Sequence, residues 1–268
     1  MDLQSTKSDE PYRLDFRNRV IVLTGGSRGI GFGIAQAFCQ ANAALHIIAI
    51  DPELPGVVQK LSGDRQGGVT GHYCDITDGK EVDRCLAEIG HIDVFIANAG
   101  LERMTPIDDA SVETEAAFRR IIDVNVIGTY LCIRAALRNM RAGGSIILTS
   151  SVWGKSAVGA FGAYVASKHA NIGFMRGLAR ELGPKGIRVN CVCPGWVRTD
   201  SAMQSLSRMS ARSNRAEAAI LDDVIAAQCL PGLQDPADVA DLYLFLASSL
   251  SRNITGQAIN IDRGEFLG

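Results

Sequence analysis

The chain has 268 residues, of which 47% are hydrophobic and 21% are charged, a composition typical of one or two globular domains. That composition excludes a disordered or fibrous protein. The 27 basic and 29 acidic residues give a net charge of −2 without a charged block, so we expect neither nucleic acid nor an anionic membrane as a partner.

The patterns of membrane and secreted proteins are also missing. The longest apolar runs, such as 43–50, are far shorter than the roughly 20 residues that a membrane helix needs. Residues 1–19 are polar and do not resemble a secretory signal. The 7 cysteines, an odd and scattered set, fit a reducing cytoplasm, and we expect them to be small buried hydrophobes.

Short apolar runs that favour strands alternate with amphipathic runs that favour helices along almost the whole chain. The predicted strands are Val20–Leu23, Leu45–Ile50, Val69–Cys74, Ile92–Ala97, Ser145–Thr149, Ile187–Val192 and Ala258–Ile261. Helical patterns lie near 30–41, 54–61, 78–89, 111–141, 162–182, 200–229 and 236–249. Because parallel strands need crossover connections, this alternation predicts one α/β domain, a doubly wound seven-stranded parallel sheet with helices on both faces.

We expect residues 1–11 to form a flexible tail and residues 12–268 to form this single domain. The longest stretch between strands with a helical pattern of its own, at about 196–232, has two open interpretations. It is either a helical lid over a site or a pair of covering helices, and the lid is favoured.

A glycine-rich segment, Thr24-Gly25-Gly26-Ser27-Arg28-Gly29-Ile30-Gly31, joins the first strand to the first helix. Glycines let the backbone turn sharply and approach a diphosphate closely, and the following helix N-terminus offers free N–H groups to the anion. In this position the segment predicts a dinucleotide site. A tight turn that binds nothing is the alternative.

The end of the second strand bears on the choice of coenzyme. An acidic residue there binds the ribose 2′-hydroxyl in a dinucleotide fold and selects NAD over NADP. If Asp51 reaches the ribose, its charge repels a 2′-phosphate. If Ala49 takes that place instead, NADP fits, with Arg28 available to the phosphate. The sequence leaves both coenzymes open and favours NAD.

Ser151 follows the fifth strand, and Tyr164 and Lys168 lie four residues apart on one face of the next helix. A free phenol has a pKa of about 10, and an ammonium ~4 Å away can stabilise the phenolate by about 4 kcal/mol. We therefore expect Lys168 to bring the pKa of Tyr164 towards neutrality, so that Tyr164 exchanges protons while Ser151 holds a substrate carbonyl. A pair with this spacing also occurs by chance on surface helices.

The helix predicted at 111–141 carries a polar residue on its inward face, where an unpaired amide costs about 1–3 kcal/mol. That residue is Asn125. Either a structural hydrogen bond or a water-linked proton path to Lys168 would satisfy it, and the helix alone favours the structural bond. The inward face consists of Phe118, Ile122, Asn125, Thr129, Cys132 and Ala136.

Together these motifs resemble the short-chain dehydrogenase/reductase family, in its short one-domain branch with a Rossmann fold, over about residues 14–262. Asn125, Ser151, Tyr164 and Lys168 match its catalytic tetrad, with 12 residues between the serine and the tyrosine. The coenzyme-binding segments match as Thr24, Gly25, Ser27, Arg28, Gly29, Ile30 and Gly31 in the loop, Asp75 and Ile76 at the adenine site, Asn98-Ala99-Gly100 after the fourth strand, and Pro194, Gly195, Val197 and Thr199 near the nicotinamide.

The resemblance implies hydride transfer between a nicotinamide coenzyme and an alcohol or carbonyl carbon. It implies that Tyr164 exchanges the proton, Lys168 binds the nicotinamide ribose, Ser151 polarises the carbonyl and Asn125 holds a relay water. Enoyl reductases of similar fold separate their Tyr and Lys by six residues, so the spacing here favours alcohol or ketone chemistry. Relatives commonly form tetramers through the helices at 111–141 and 162–182, which implies a homotetramer.

The substrate wall has candidates beside these motifs, namely Glu102, Arg103, Val152, Trp153, Phe161, Trp196 and Met203. The tryptophans favour an apolar or ring-shaped portion, whereas Glu102 and Arg103 suit hydroxyls or a carboxylate. We expect a secondary alcohol, a polyol or a hydroxyketone, and no metal. A dinucleotide-sensing binding protein and an epimerase are the alternatives. The complete tetrad argues against the sensor.

Overall fold

The computed structural model describes residues 14–63 and 68–267. Within them, seven parallel strands form one sheet in the order β3-β2-β1-β4-β5-β6-β7. The strands are β1 (Val20–Thr24), β2 (Ala44–Ala49), β3 (Val69–Tyr73), β4 (Ile92–Ala97), β5 (Met140–Thr149), β6 (Arg188–Pro194) and β7 (Ala258–Ile261). The predicted doubly wound sheet is confirmed. The predicted tail at residues 1–11 lies outside the described residues.

Helices connect consecutive strands and cover both faces of the sheet. They are α1 (Gly29–Gln40), α2 (Leu54–Ser62), α3 (Gly79–Ile89), α4 (Val112–Ile122), α5 (Thr129–Ala136), α6 (Gly162–Leu182), α7 (Asp200–Ser213), α8 (Glu217–Ala226) and α9 (Pro236–Ala247). One core lies between the sheet and α3, α5 and α6, and the other between the sheet and α1, α2 and α9. Strands buried on both faces explain why their sequences are continuously apolar.

The long helix predicted at 111–141 is divided. A π-helical segment at Asp123–Gly128 separates α4 from α5. The helical run ends at Asn139, and Met140 begins β5 and pairs with Ile92 of β4. A π turn holds one more residue than an α turn, so the inward face of α4 is rotated relative to a continuous helix.

That rotation corrects the predicted inward face. Phe118 is 44% exposed, and Ile121 rather than Ile122 is fully buried. The positions from Asn125 onward are buried as predicted, since Thr129, Cys132 and Ala136 all lie in the interior.

The helix predicted at 200–229 is also two helices. Asn214 takes a left-handed conformation with φ of 52° and ends α7. The chain then starts again at α8, which packs against α7. Asn tolerates this conformation better than most residues, so the break was encoded locally.

Six of the seven cysteines are buried as expected, and none of the seven forms a disulfide within the described residues. Cys229, in the loop after α8, is exposed and is the exception. In the part of the chain described, no helix combines the length and the apolar character needed to cross a membrane.

Candidate active site

The candidate site lies where the strand order reverses, at the carboxyl ends of β1 and β4. Ligands of open α/β sheets bind in the crevice at such a point. The Thr24 hydroxyl accepts hydrogen bonds from the backbone N–H groups of Asn98 and Ala99, at 3.0 Å each. The Asn98 amide in turn donates to the carbonyl oxygens of Thr24 and Gly25. These bonds fix the glycine-rich loop against the end of β4.

The loop after β1 and the first turn of α1 each contain a glycine position with no room for a side chain. Gly25 has φ of +71°, and a Cβ there would lie 2.8 Å from the Ala99 Cα atom. A Cβ at Gly31 would collide with the Gly25 carbonyl oxygen. Arg28, at the N-cap of α1, makes no side-chain cap hydrogen bond, and the first turn contains no acidic residue. The N–H groups at this helix end therefore fit an anionic diphosphate.

Asp51 lies beside this loop, because the Ser27 hydroxyl donates a hydrogen bond of 3.0 Å to its carboxylate. The Glu53 backbone N–H donates to the other oxygen, at 3.0 Å. These two bonds, together with the charge of Arg28, outweigh desolvation and lower the pKa of Asp51. An ionised carboxylate thus stands at the loop, while Ala49 is buried within β2.

Asp75 follows β3, and its carboxylate is the centre of a hydrogen-bonded group of side chains at the same edge of the sheet. Its carboxylate accepts hydrogen bonds from Thr77 and, at 3.1 Å, from the Arg120 guanidinium of α4. Although desolvation opposes them, these contacts lower the pKa of Asp75. The side chain of Ile76 belongs to the core and is 7% exposed.

Tyr164 and Lys168 meet on α6 beside the end of β5, as the four-residue spacing predicts. The Lys168 Nζ atom lies 5.3 Å from the centroid of the Tyr164 ring. It donates a hydrogen bond of 2.9 Å to the Thr149 carbonyl oxygen, which had not been predicted as a site residue. The Ser151 hydroxyl is hydrogen-bonded with the Tyr164 phenol. Serine, tyrosine and lysine are therefore brought together.

The expected electrostatics of this group need correction. Burial lowers the pKa of Lys168 to about 8. Burial also raises the pKa of Tyr164 above its usual value, and the negative charge of Glu102 adds to that rise. The prediction that Lys168 brings the pKa of Tyr164 towards neutrality is therefore wrong for these protein groups by themselves. A dry pocket disfavours the phenolate more strongly than the amine stabilises it.

Asn125 is satisfied by protein. Its side-chain oxygen accepts from the Leu101 N–H at 2.7 Å, and its Nδ2 donates to the Leu101 carbonyl and to the Ser167 hydroxyl. Asn125 thus makes the structural hydrogen bonds that its position on the helix predicts. Gly100 lies between Asn125 and the amine, since a Cβ there would be 3.4 Å from the Asn125 oxygen and 3.5 Å from the Lys168 Nζ atom.

Glu102 faces the tyrosine and the lysine from the loop after β4. Burial raises its pKa, against a hydrogen bond from Ser205 of α7 and the positive charges of Lys168 and Arg208. Ser205, which is 3% exposed, had not been predicted. Its contact with Glu102 joins segments far apart in sequence, and no local pattern marks it.

Aromatic side chains flank the phenol. Trp153 lies edge-on to the Tyr164 ring at 6.1 Å between centroids and 5.4 Å from the Phe161 ring. Phe161 and Val152 are almost fully buried and serve as packing behind it, at 1% and 3% exposed. Arg103 is exposed.

The segment after β6 completes the rim. Gly195 packs tightly on Asp262, and the buried Val197 forms a bridge with Gln234. Thr199 caps α7 by accepting from the Ala202 N–H, and its methyl lies beside Gly29 of the loop. Half-buried Met203 belongs to the same helix. The glycine loop and the start of α7 are thus adjacent. The segment extends back to Pro194, the last residue of β6.

Trp196, in this segment, has a buried indole N–H. Among the residues that the structure describes, it has no hydrogen-bond acceptor. Leaving a buried donor unpaired costs free energy, which a bound oxygen atom would recover.

Comparison with known proteins covers nearly the whole chain. A family model described as enoyl-(acyl carrier protein) reductase matches residues 25–265. A 3alpha-hydroxysteroid dehydrogenase of Mediterraneibacter gnavus is 32% identical over 92% of this chain and 96% of its own. A 1,2-dihydroxy-1,2-dihydronaphthalene dehydrogenase of Ralstonia is 34% identical over 93% and 98%. The crystal structure of a short-chain dehydrogenase from Burkholderia cenocepacia in complex with NADP matches with a TM-score of 0.80 and 30% identity, over 94% of this chain and 99% of that one.

Proposed function

Because the chain belongs to the short-chain dehydrogenase/reductase family, it transfers a hydride between a nicotinamide coenzyme and an alcohol or carbonyl carbon, and we propose that Tyr164 exchanges the accompanying proton. The contact of its phenol with Ser151, one helical turn from Lys168, is the observation that carries this proposal. The nicotinamide, when bound, supplies or accepts the hydride.

The four polar side chains take distinct roles in this proposal. Tyr164, held neutral by burial, donates its proton to the oxygen of a carbonyl substrate. Ser151 donates to the same oxygen and fixes its position. Lys168 keeps a positive charge near the oxygen that the proton leaves, which favours its departure. Asn125 is a positioning residue that ties Leu101 to α6, with one lone pair left to accept from a relay water.

We propose NAD as the coenzyme. The ionised Asp51 carboxylate already accepts a hydrogen bond from Ser27 of the glycine-rich loop. It is therefore placed to accept hydrogen bonds from the ribose hydroxyls as well. Its charge repels the 2′-phosphate of NADP. The solved relative from Burkholderia cenocepacia holds NADP, so this assignment rests on Asp51 of this chain and not on that likeness.

The remaining parts of the coenzyme are assigned to segments at the carboxyl ends of the strands. We assign the diphosphate to the backbone from Thr24 to Gly31, the adenine to Asp75 and the backbone of Ile76, and the nicotinamide side to the residues from Asn98 to Gly100 and from Pro194 to Thr199. Glycine at the loop positions that lack room for a Cβ supports the first of these assignments.

We propose a ring-bearing secondary alcohol with a second polar group as the substrate. Trp153 beside the phenol and half-buried Met203 offer apolar surface, whereas the Glu102 carboxyl and the unpaired Trp196 N–H offer one acceptor and one donor. The two dehydrogenase relatives are named for a hydroxysteroid and for a dihydroxy-dihydronaphthalene, both alcohols on fused rings.

The helices α7 and α8 act as the lid in this proposal. The contact of Ser205 with Glu102 joins α7 to the site, and Arg212 of α7 forms an ion pair of 2.8 Å with Asp108 on the opposite loop. We further assign the chain to the cytoplasm, where its seven cysteine thiols stay reduced, and to a homotetramer. Residues 12–268 then form one catalytic domain.

A panel of alcohols tests the proposal, offered with NAD and separately with NADP and followed by the absorbance of the reduced nicotinamide. We expect turnover with NAD and a lower KM for ring alcohols with a neighbouring hydroxyl than for the matched mono-alcohols. An epimerase or a dinucleotide sensor would give no net absorbance change with any alcohol.

A further inference from the structure

A cavity of about 170 Å³ lies between the end of β3 and α3 and contains a pair of thiols. Its walls include Cys74, Cys85 and His72, and its rim is formed by Tyr73, which is 73% exposed, and Arg84. Because the lining runs from buried sulfur to exposed side chains, a small solute can reach the thiols from solvent. The volume is several times the roughly 30 Å³ that one water occupies.

The two sulfurs lie within hydrogen-bonding reach of each other although they are 11 positions apart in sequence. The Cys74 thiol donates to Cys85, and His72 provides a second hydrogen bond to the same sulfur. Together these bonds outweigh desolvation and lower the pKa of Cys85, whereas the pKa of Cys74 is raised because its proton is held in the shared bond. Cys85 is thus the better nucleophile and Cys74 its neighbour.

A metal is a poorer match for this cluster than an oxidant. Within residues 14–63 and 68–267, no group of three His, Cys, Asp or Glu side chains could hold a metal ion. A thiolate beside a second thiol in a cavity open to small solutes has the arrangement of a redox-sensitive pair.

We propose that Cys74 and Cys85 form a peroxide-oxidisable pair, in which Cys85 attacks a small hydroperoxide and Cys74 closes the disulfide. The Cys85 thiolate displaces alkoxide, or hydroxide from hydrogen peroxide, and becomes a sulfenic acid as the O–O bond breaks. Cys74 then attacks that sulfur and water leaves. In sum, two thiols and one hydroperoxide give one disulfide, one alcohol or water, and one water.

Oxidation also affects the proposed adenine site, since Cys74 directly precedes Asp75. Closing the disulfide pulls this segment towards α3, so the oxidised protein binds NAD more weakly, by at least threefold. This consequence rests on the proposed role of Asp75, whereas the disulfide itself does not.

The test uses the full chain with Cys229→Ser, which removes the exposed thiol, treated with hydrogen peroxide and mapped by alkylation and peptide mass. We expect both thiols to be lost together and the joined peptides to lose the mass of two hydrogen atoms. In Cys74→Ser, Cys85 should be trapped as a sulfenic acid by a cyclic diketone. In Cys85→Ser, Cys74 should remain a thiol. Cys132→Ser, which changes the neighbouring buried sulfur, should still form the disulfide.

Recovery of Cys74 and Cys85 as separately alkylated thiols, under peroxide that oxidises Cys229 in the parent chain, would overturn the pair. If the disulfide forms but the oxidised protein binds NAD as tightly as untreated protein, the proposed effect on coenzyme binding is overturned. The proposal that Cys74 and Cys85 form a disulfide is then supported.

Discussion

At the scale of single residues, the coenzyme choice that we propose depends on one carboxylate. Asp51 is held at the glycine loop by Ser27 and by the Glu53 backbone, and both bonds favour its ionised form. A ribose with free hydroxyls gains charge-assisted hydrogen bonds from such a group. A 2′-phosphate meets repulsion there instead.

Asp51→Ala should therefore weaken NAD binding by about 10- to 100-fold, the worth of hydrogen bonds to a charged group. NADP binding should weaken less or improve. Fluorescence titration with both reduced coenzymes measures the two dissociation constants. Glu53→Ala is the matched control, because only the backbone N–H of Glu53 contacts Asp51. Equal loss for both coenzymes would show that Asp51 does not reach the ribose.

Lys168, to which we assign a role in catalysis, is a buried amine whose charge costs stability. It is 4% exposed, and burial lowers its pKa to about 8 from the usual 10.5. Between these values the unfolded chain binds one more proton than the folded chain, so stability rises with pH across this window. Below about pH 8 the folded protein carries the whole cost of a buried ammonium.

Lys168→Met should accordingly raise the melting temperature at pH 7, by about 2–4 °C for each kcal/mol gained. The advantage should shrink as pH rises from about 8 to 10.5, because wild type then loses its buried charge. Calorimetry of both proteins across that range gives the difference directly, without coenzyme. A variant that melts lower than wild type at pH 7 would contradict the assignment of a costly buried charge.

The residues in contact were predictable where the contact is local, and not otherwise. Tyr164 and Lys168 share a helix face through their spacing alone, and Ser151 follows from the end of β5. The shift in the pKa of Tyr164 was predicted in the wrong direction, because burial and the charge of Glu102 arise from chain segments that no spacing reveals. The contact of Ser205 with Glu102 could not be predicted for the same reason.

At the scale of elements, the fold depends on close approaches that only glycine permits. Helices α1 and α9 pack so tightly that a Cβ on Gly33 would lie 2.6 Å from the Pro236 carbonyl oxygen. By contrast, a Cβ on Gly56 of α2 would have no neighbour within 4 Å. Substitutions at these two glycines can therefore distinguish the effect of helix packing on stability from the effect of intrinsic helix preference.

Gly33→Ala should destabilise the protein by about 1–3 kcal/mol, the usual cost of overpacking. Gly56→Ala should stabilise it by up to about 1 kcal/mol, since alanine loses less backbone freedom in a helix. Urea unfolding midpoints measure both. A loss at Gly56→Ala equal to that at Gly33→Ala would show that helix contact is not the cause.

Element prediction succeeded where one period persists and failed where it changes. The seven strands appeared as apolar runs, and all seven helical patterns begin within one residue of a helix start. The π segment at Asp123–Gly128 changed the period inside one pattern and exposed Phe118. The left-handed Asn214 divided another.

At the scale of the whole molecule, the helices on one side leave apolar side chains exposed. Phe118, Ile127 and Tyr130 on α4, the π segment and α5 are each 44% to 45% exposed. Exposed apolar side chains on consecutive helical segments are common at subunit interfaces. They support the proposed tetramer through these helices and α6.

Tyr130→Asp should therefore reduce the mass in light scattering from four chains to two or one. Ile107→Asp, at a fully exposed apolar position on a loop outside these helices, should leave the mass unchanged. A charge buried in an interface without a partner costs several kcal/mol, whereas the same charge on a loop costs little. A wild-type chain that scatters as a monomer would refute the tetramer.

The most direct test of the account is the turnover of Tyr164→Phe, measured beside its coenzyme affinity. The variant removes one hydroxyl and keeps the ring against Trp153. We predict that kcat falls by about 10²- to 10⁴-fold, the contribution of a positioned proton donor, while the coenzyme dissociation constant stays within about threefold of wild type. Undiminished turnover by Tyr164→Phe would contradict the central claim that this phenol exchanges the proton.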